Sequence, residues 1–335
     1  MAEAKYRGRV GTVRLFVQWG FLVWVIFIGI RFGMFVRHFE SGGAFPFVAR
    51  PPGVEGFLPI GALTSFKYWL VSGEFDPMHP AALVIFLTIV FMSLIARKSF
   101  CSWLCPVGTL SEAAWKLGKR FFGRNFQIWS WLDMILRGLK YLLLLFFVKI
   151  ILIDMTATAL AEFLAAPYWA ASDIKMLRFF THMSMTTVVI LGILTGLSLL
   201  YKNFWCRYLC PYGAFLGLVS FIGPLKVRRN TDQCTGCQRC SAACPSRLPV
   251  HTSEAISSPE CTGCLTCVEN CPEPNVLQMS PPLRKQAMPA WFFPCLVIIT
   301  FAVGIGAGMI SGHWNSVLTY ADYQRLIALA PQLSH

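Results

Sequence analysis

The sequence predicts a mainly α protein: an integral membrane helical bundle of about five transmembrane helices, internally duplicated, with a small inserted α+β domain. Composition is the first reason. Of 335 residues, 56% are hydrophobic and only 13% charged, against about 25% charged in a typical soluble domain. The second reason is the distribution of apolar residues. Five stretches (about 15–36, 81–96, 135–155, 183–201 and 291–310) approach the ~20 residues that a bilayer requires. The third is a polar segment rich in cysteine and proline before the last stretch, with no span of its own.

The basic N-terminus (Lys5, Arg7, Arg9, Arg14) runs into the first stretch without a small-residue cleavage site after it, so a retained helix is expected. The second stretch follows Pro77 and Pro80 and is short. Region 57–70 reads as an amphipathic stretch on the far membrane surface. Of 29 Lys and Arg residues, 21 fall in the N-terminal tail, 97–140 and 202–285. Alternating spans place these on one side, which the positive-inside rule makes cytoplasmic. Topology and anionic lipid therefore account for the net charge of +13, and nucleic acid is not an expected partner.

Three domains follow: 1–225, a membrane domain with four transmembrane helices; 226–289, the insert; and 290–335, a fifth helix with a non-cytoplasmic tail. The chain also repeats itself. Phe100-Cys101-Ser102-Trp103-Leu104-Cys105-Pro106 aligns with Trp205-Cys206-Arg207-Tyr208-Leu209-Cys210-Pro211 at an offset of 105 residues, each copy following a span. Such a repeat suggests two pseudo-symmetric halves whose motifs meet.

The insert carries Cys234-x-x-Cys237-x-x-Cys240-x-x-x-Cys244-Pro245 and Cys261-x-x-Cys264-x-x-Cys267-x-x-x-Cys271-Pro272. This is the spacing of bacterial two-cluster ferredoxins, in which the fourth cysteine ligates the other cluster. The expected [4Fe–4S] ligand sets are Cys234, Cys237, Cys240 with Cys271, and Cys261, Cys264, Cys267 with Cys244. Structural zinc, the alternative for four cysteines, fits two complete motifs with terminal prolines poorly. The domain is too small to stand without its clusters.

Spaced i, i+4, each Cys-x-x-x-Cys-Pro pair can present two thiols from one helix face. Together, Cys101, Cys105, Cys206 and Cys210 are a candidate third redox or metal site. It would hold a third iron–sulfur cluster, hold another thiophilic metal, or cycle as a dithiol. The plain alternative is inert packing, and it is the expected role of Cys295.

These four motifs in this order resemble the NapH/NosR/CcoG-type membrane polyferredoxins, 4Fe–4S ferredoxin-type integral membrane proteins, over about residues 60–280, and most closely a NapH-like quinol-dehydrogenase subunit. The resemblance implies a multi-pass protein of a bacterial or archaeal cytoplasmic membrane that passes electrons between the quinone pool and redox subunits such as c-type cytochromes or a reductase. A copper- or metal-reducing assembly factor, or a redox regulator of a respiratory enzyme, is the alternative function. The fifth span and the tail 311–335 lie beyond the usual NapH plan.

Quinone is thus an expected substrate. His79, His182 and Asp76 are candidates to accept its protons; haem ligation by histidines is the other use open to them. His79 and His182 occupy matching places in the repeat. Tryptophans at the span borders, including Trp69, Trp103, Trp131, Trp169 and Trp291, read as an interfacial belt.

Overall fold

In the computed structural model, residues 2–281, 289 and 291–333 are described. The insert's end and the 290 boundary fall outside them, as do Arg284 and Lys285. Helices dominate. In chain order they are α1 (Ala2–Glu40), α2 (Pro59–Ser72), α3 (Pro80–Ala96), α4 (Phe100–Trp103), α5 (Pro106–Phe122), α6 (Ser130–Val148), α7 (Ala157–Ala165), α8 (Pro167–Ala170), α9 (Ser172–Thr181), α10 (Met185–Leu200), α11 (Pro211–Ile222), α12 (Arg239–Ala243), α13 (Thr266–Glu269), α14 (Phe292–Ile310) and α15 (Tyr320–Leu329). Strands β1 (Lys226–Arg229) and β2 (Leu277–Ser280) pair antiparallel, Val227 opposite Met279, and so close the insert at its two ends.

A helix lies at each of the five apolar stretches, but they do not qualify equally as spans. Val10–Glu40 and Phe292–Ile310 are long and apolar enough to cross a membrane. Ser130–Asp154 with Ala157–Ala165 is bent by 107°, and Ser172–Thr181 with Met185–Leu200 by 77°; each pair taken as one span raises the number to four. Pro80–Ala96 is shorter, at 17 residues. Large apolar side chains stand exposed along these helices, among them Phe16, Trp24, Leu142, Met185 and Val303. Water would penalise that surface and hydrocarbon would not.

The chain divides into two compact units. The first comprises Met1–Leu22, Ile89–Leu144 and Ile190–Ala302, and the second Val23–Thr88, Leu145–Val189 and Val303–His335. The first unit holds every cysteine motif, with the insert packed onto the membrane-domain motifs. Its core joins Met92, Trp103 and Leu104 to Val227, Leu265, Leu277 and Phe293. The second packs Phe32, Phe35, Ile174 and Tyr323 together.

Two sequence expectations need correction here. Trp103 and Trp169 are interior residues, 0% and 3% exposed. The indole of Trp103 donates to the carbonyl of Gly263 (3.1 Å), and that of Trp169 to Oδ2 of Asp76 (2.9 Å). A buried partner for the N–H removes the reason for an indole to sit at an interface. Cys295 is exposed on α14, not packed.

Candidate iron–sulfur sites

The two motifs of the insert adopt one backbone plan. Gly236 and Gly263 have φ of +68° and +62°, and the residues after the second cysteines, Gln238 and Leu265, are also left-handed at +59° and +58°. Alternating hands of this kind turn successive N–H groups toward one concavity, a nest suited to an anion such as a cluster with its thiolates. Each left-handed residue then caps a short helix, α12 or α13.

Two cavities result. One, with about 320 Å³ of empty volume, is lined by Cys234, Cys237, Cys240 and Cys271. The other, about 360 Å³, is lined by Cys244, Cys261, Cys264 and Cys267. Each cavity therefore gathers three cysteines of one motif and the fourth of the other, the crossed arrangement that the spacing implies. Among the described residues, no three His, Cys, Asp or Glu side chains converge on a single metal-ion point. A tetrahedral zinc needs sulfurs about 3.8 Å apart, whereas a cubane spreads its ligands around a larger body. The donor set fits the cluster.

The four cysteines of the paired motifs also come together: Cys206 interacts electrostatically with Cys210, Cys105 and Cys101, and Cys101 with Cys105 and Cys210. The local geometry is not that of one continuous helix. Cys101 lies in α4 and Cys206 in a π-helical turn, Trp205–Leu209. Cys105 and Cys210 instead cap α5 and α11 in extended conformation, with ψ of 120° and 103°. The following prolines force this, because a residue before proline is displaced from the helical region.

Helix N-termini then serve the thiols. The amides of Gly108 and Val107 donate to Cys105, and Gly213 donates to Cys210 at 3.3 Å. Burial nonetheless pushes Cys101 up to about 12 and Cys105 to about 11, and raises Cys206 well above its ordinary range. Thiols raised in this way lose their protons readily only to a bound cation, so this donor set suits a metal cluster.

Sequence reasoning missed the charges around this site. Lys98 (4% exposed) and Lys140 (0%) both reach Glu260 (7%), with Nζ to Oε2 distances of 3.6 and 2.7 Å. Tyr141 donates to the other oxygen at 2.9 Å. The lysines hold Glu260 down to about 2 against the upward push of burial. Lys98 and Lys140 also act on Cys101 and Cys210. Two buried cations with one carboxylate leave a net positive charge, matched to an anionic centre. Only the position of Glu260 beside Cys261 hinted at this in the sequence.

Gly108 gives a local test. A Cβ there would lie 2.1 Å from the Cys101 carbonyl oxygen, whereas at Gly213 the nearest atom, Cys210 Sγ, is at 3.5 Å. Gly108→Ala is expected to disturb the four-cysteine site and lower bound iron, and Gly213→Ala to be tolerated. Iron assay of the two purified variants checks this.

The proton-acceptor candidates part company. His79 and Asp76 are fully buried in the second unit, and His182 is exposed at the end of α9. Asp76 accepts from Ser65 (2.7 Å) and Trp169. His79 Nδ1 lies 3.4 Å from Glu55, and Nε2 lies 2.8 Å from the Trp169 carbonyl. Both ring nitrogens are thus engaged within the protein, which leaves neither for a haem iron.

Burial pushes the His79 imidazole down, but the Glu55 hydrogen bond and the Asp173 and Glu55 charges outweigh it, and its pKa stands above the ordinary 6.5. A raised folded value means that the stabilisation is complete below about 6.5 and is lost as pH rises from there through the higher folded value. Hydrogen exchange of the second unit between pH 6 and 9 should show this loss, and His79→Gln should flatten it.

Comparison with known proteins agrees with this chemistry. A family described as a 4Fe–4S binding domain matches residues 78–125 and again 183–230, and a 4Fe–4S dicluster domain matches 226–272. The putative electron transport protein YccM of Escherichia coli K12 is 45% identical over 92% of this chain and 88% of its own length. The ferredoxin-type protein NapH of the same organism is 25% identical over 54% of this chain and 60% of its own. The regulatory protein NosR of Pseudomonas aeruginosa is 29% identical over 52% and 23% respectively. No solved structure matches. The chain belongs to the NapH/NosR-type polyferredoxin family and is an electron-transport protein with 4Fe–4S binding domains.

Proposed function

We propose that this chain carries electrons between the quinone pool and a redox partner by way of three [4Fe–4S] centres set in a row. The four-cysteine site (Cys101, Cys105, Cys206, Cys210) holds the first. A proximal centre on Cys244, Cys261, Cys264 and Cys267 follows, then a distal one on Cys234, Cys237, Cys240 and Cys271.

One observation carries the order. Residues lying between the paired cysteines grip the loops of the proximal cavity. Ser102 Oγ donates to the Thr262 carbonyl at 2.7 Å, Trp103 to Gly263, and Arg207 Nη1 to the Ser246 carbonyl at 2.6 Å. Arg207 is itself held by Asp133, at 2.9 and 2.8 Å. Each membrane-domain motif thus touches chain adjoining a proximal ligand. When bound, the clusters supply one-electron chemistry; the protein's part is to hold the thiolates, exclude water, and present the nests and the Lys98–Lys140 charges that set their potentials.

Multi-pass membrane insertion with the clusters on the cytoplasmic side completes the reading. It is supported by the exposed apolar helices and by the first unit's containing the lysine- and arginine-rich segments. Internal duplication is supported by the double match of one family, with starts 105 residues apart. The distal centre faces the partner, of a kind such as a c-type cytochrome or a reductase. In lipid nanodiscs under anaerobic conditions, quinol is expected to bleach the visible absorption of the holoprotein; absorption unchanged by quinol yet bleached by dithionite would overturn the quinone assignment.

A further inference from the structure

A cavity in the first unit belongs to neither cluster: it has an empty volume of about 670 Å³ and is lined by Thr12 and Arg14 of α1, Glu112, Trp115 and Lys116 of α5, and Glu269 of α13. Pro245 and Thr266, which adjoin the proximal ligands Cys244 and Cys267, complete its wall, and Arg14 is within electrostatic reach of Cys264. We propose that this cavity binds the head group of a quinone; the inference rests on the quinone reading above and gives it a place.

Three features select that chemistry. First, charge: the two cations and two carboxylates on the wall sum to zero, and Glu112 is taken by Arg14 (2.8 Å) and Lys116 (2.7 Å). A phosphate-type anion would find no uncompensated cation there, whereas a neutral ring incurs no such penalty. Second, hydrogen bonding: among the described residues, the indole N–H of Trp115 and Nε of Arg14 are buried without a partner, and Arg14 is 6% exposed. Buried donors are ordinarily satisfied, so the wall calls for a ligand bearing acceptor oxygens, as a quinone's carbonyls are.

Third, depth. Leu15, next to Arg14, is exposed and opens the apolar run of α1. Helix α5 turns Glu112 inward and leaves Leu110, Leu117 and Phe121 exposed on its other side. That is the pattern of a helix lying in a membrane interface, the depth at which a lipid-soluble quinone presents its head group. The wall is also shaped for close approach: at Gly11 a Cβ would lie 2.4 Å from both carboxylate oxygens of Glu269, so only glycine lets this carboxylate sit against α1.

The test is photolabelling of the holoprotein in nanodiscs with an azido-substituted decyl-benzoquinone, competed by decylubiquinone and mapped by mass spectrometry. Competed adducts are expected on the peptides carrying Thr12 to Leu15, Glu112 to Lys116 or Glu269. Trp115→Phe, which keeps the ring and removes the donor, is expected to raise the half-competing concentration about five- to tenfold, the loss of one hydrogen bond, with iron content unchanged. Competed adducts confined to other segments would overturn this location while the quinone reading stands. No competed adducts, together with no bleaching by quinol, would remove both. Should Trp115→Phe lose iron, the adduct map of the unaltered chain decides alone.

Discussion

Replacing Cys101 and Cys206 together by alanine is expected to lower bound iron from about twelve to about eight atoms per chain, since one four-iron centre is lost and two remain. The two ligands come from different copies of the repeat, so neither motif can hold the cube with what is left. The eight cysteines of the insert are untouched, and their cavities are closed by their own nests and by the β1–β2 pair. A second effect follows from charge. Lys98 and Lys140 stay buried with Glu260 alone as counter-charge. Removing the anionic centre leaves them under-compensated, at a cost of the order of that for a broken buried pair, about 3–5 kcal/mol. Iron and sulfide assays with thermal unfolding read both effects. Iron at about eight in both the parent and the variant would show that the quartet holds no cube.

Arg50→Met is expected to destabilise the second unit by about 3–5 kcal/mol. Arg50 pairs with Glu55 at 2.8 Å and Asp173 at 2.7 Å, and all three side chains are at least nine-tenths buried. Methionine fills much of the volume but leaves two carboxylates facing each other in the interior. Glu55 also caps the start of α3 through the amide of Ala82 (3.0 Å), so the loss should spread to that helix. Denaturant unfolding in detergent measures the effect. Adding Glu55→Gln and Asp173→Asn to the variant should recover part of the loss, because neutral amides carry no uncompensated charge. Since every cysteine motif lies in the other unit, bound iron should not change.

The gathering of the insert's cysteines was legible in the sequence because spacing governs it: three cysteines on one loop, a fourth carried to the other cavity, and proline to turn the chain away. The five apolar stretches were legible for a similar reason, being one-dimensional signals. The missed features depend on distant parts of the chain. Lys140 and Glu260 are 120 residues apart and meet only in the fold. Trp103 and Trp169 look like belt residues until their buried partners, Gly263 and Asp76, are known. The matching places of His79 and His182 in the repeat do not give them matching surroundings: one is fully buried among charges and the other exposed. The i, i+4 reading of Cys101 and Cys105 was overtaken by the proline beside them, a short-range effect that the sequence did contain.

The most direct test of the proposed wire is electron paramagnetic resonance of the reduced holoprotein during a redox titration. Three [4Fe–4S] centres in the proposed order predict a broadened, spin-coupled signal, which simplifies in the Cys101→Ala, Cys206→Ala variant as the first centre disappears. Magnetically isolated centres, or a spectrum identical in parent and variant, would contradict it.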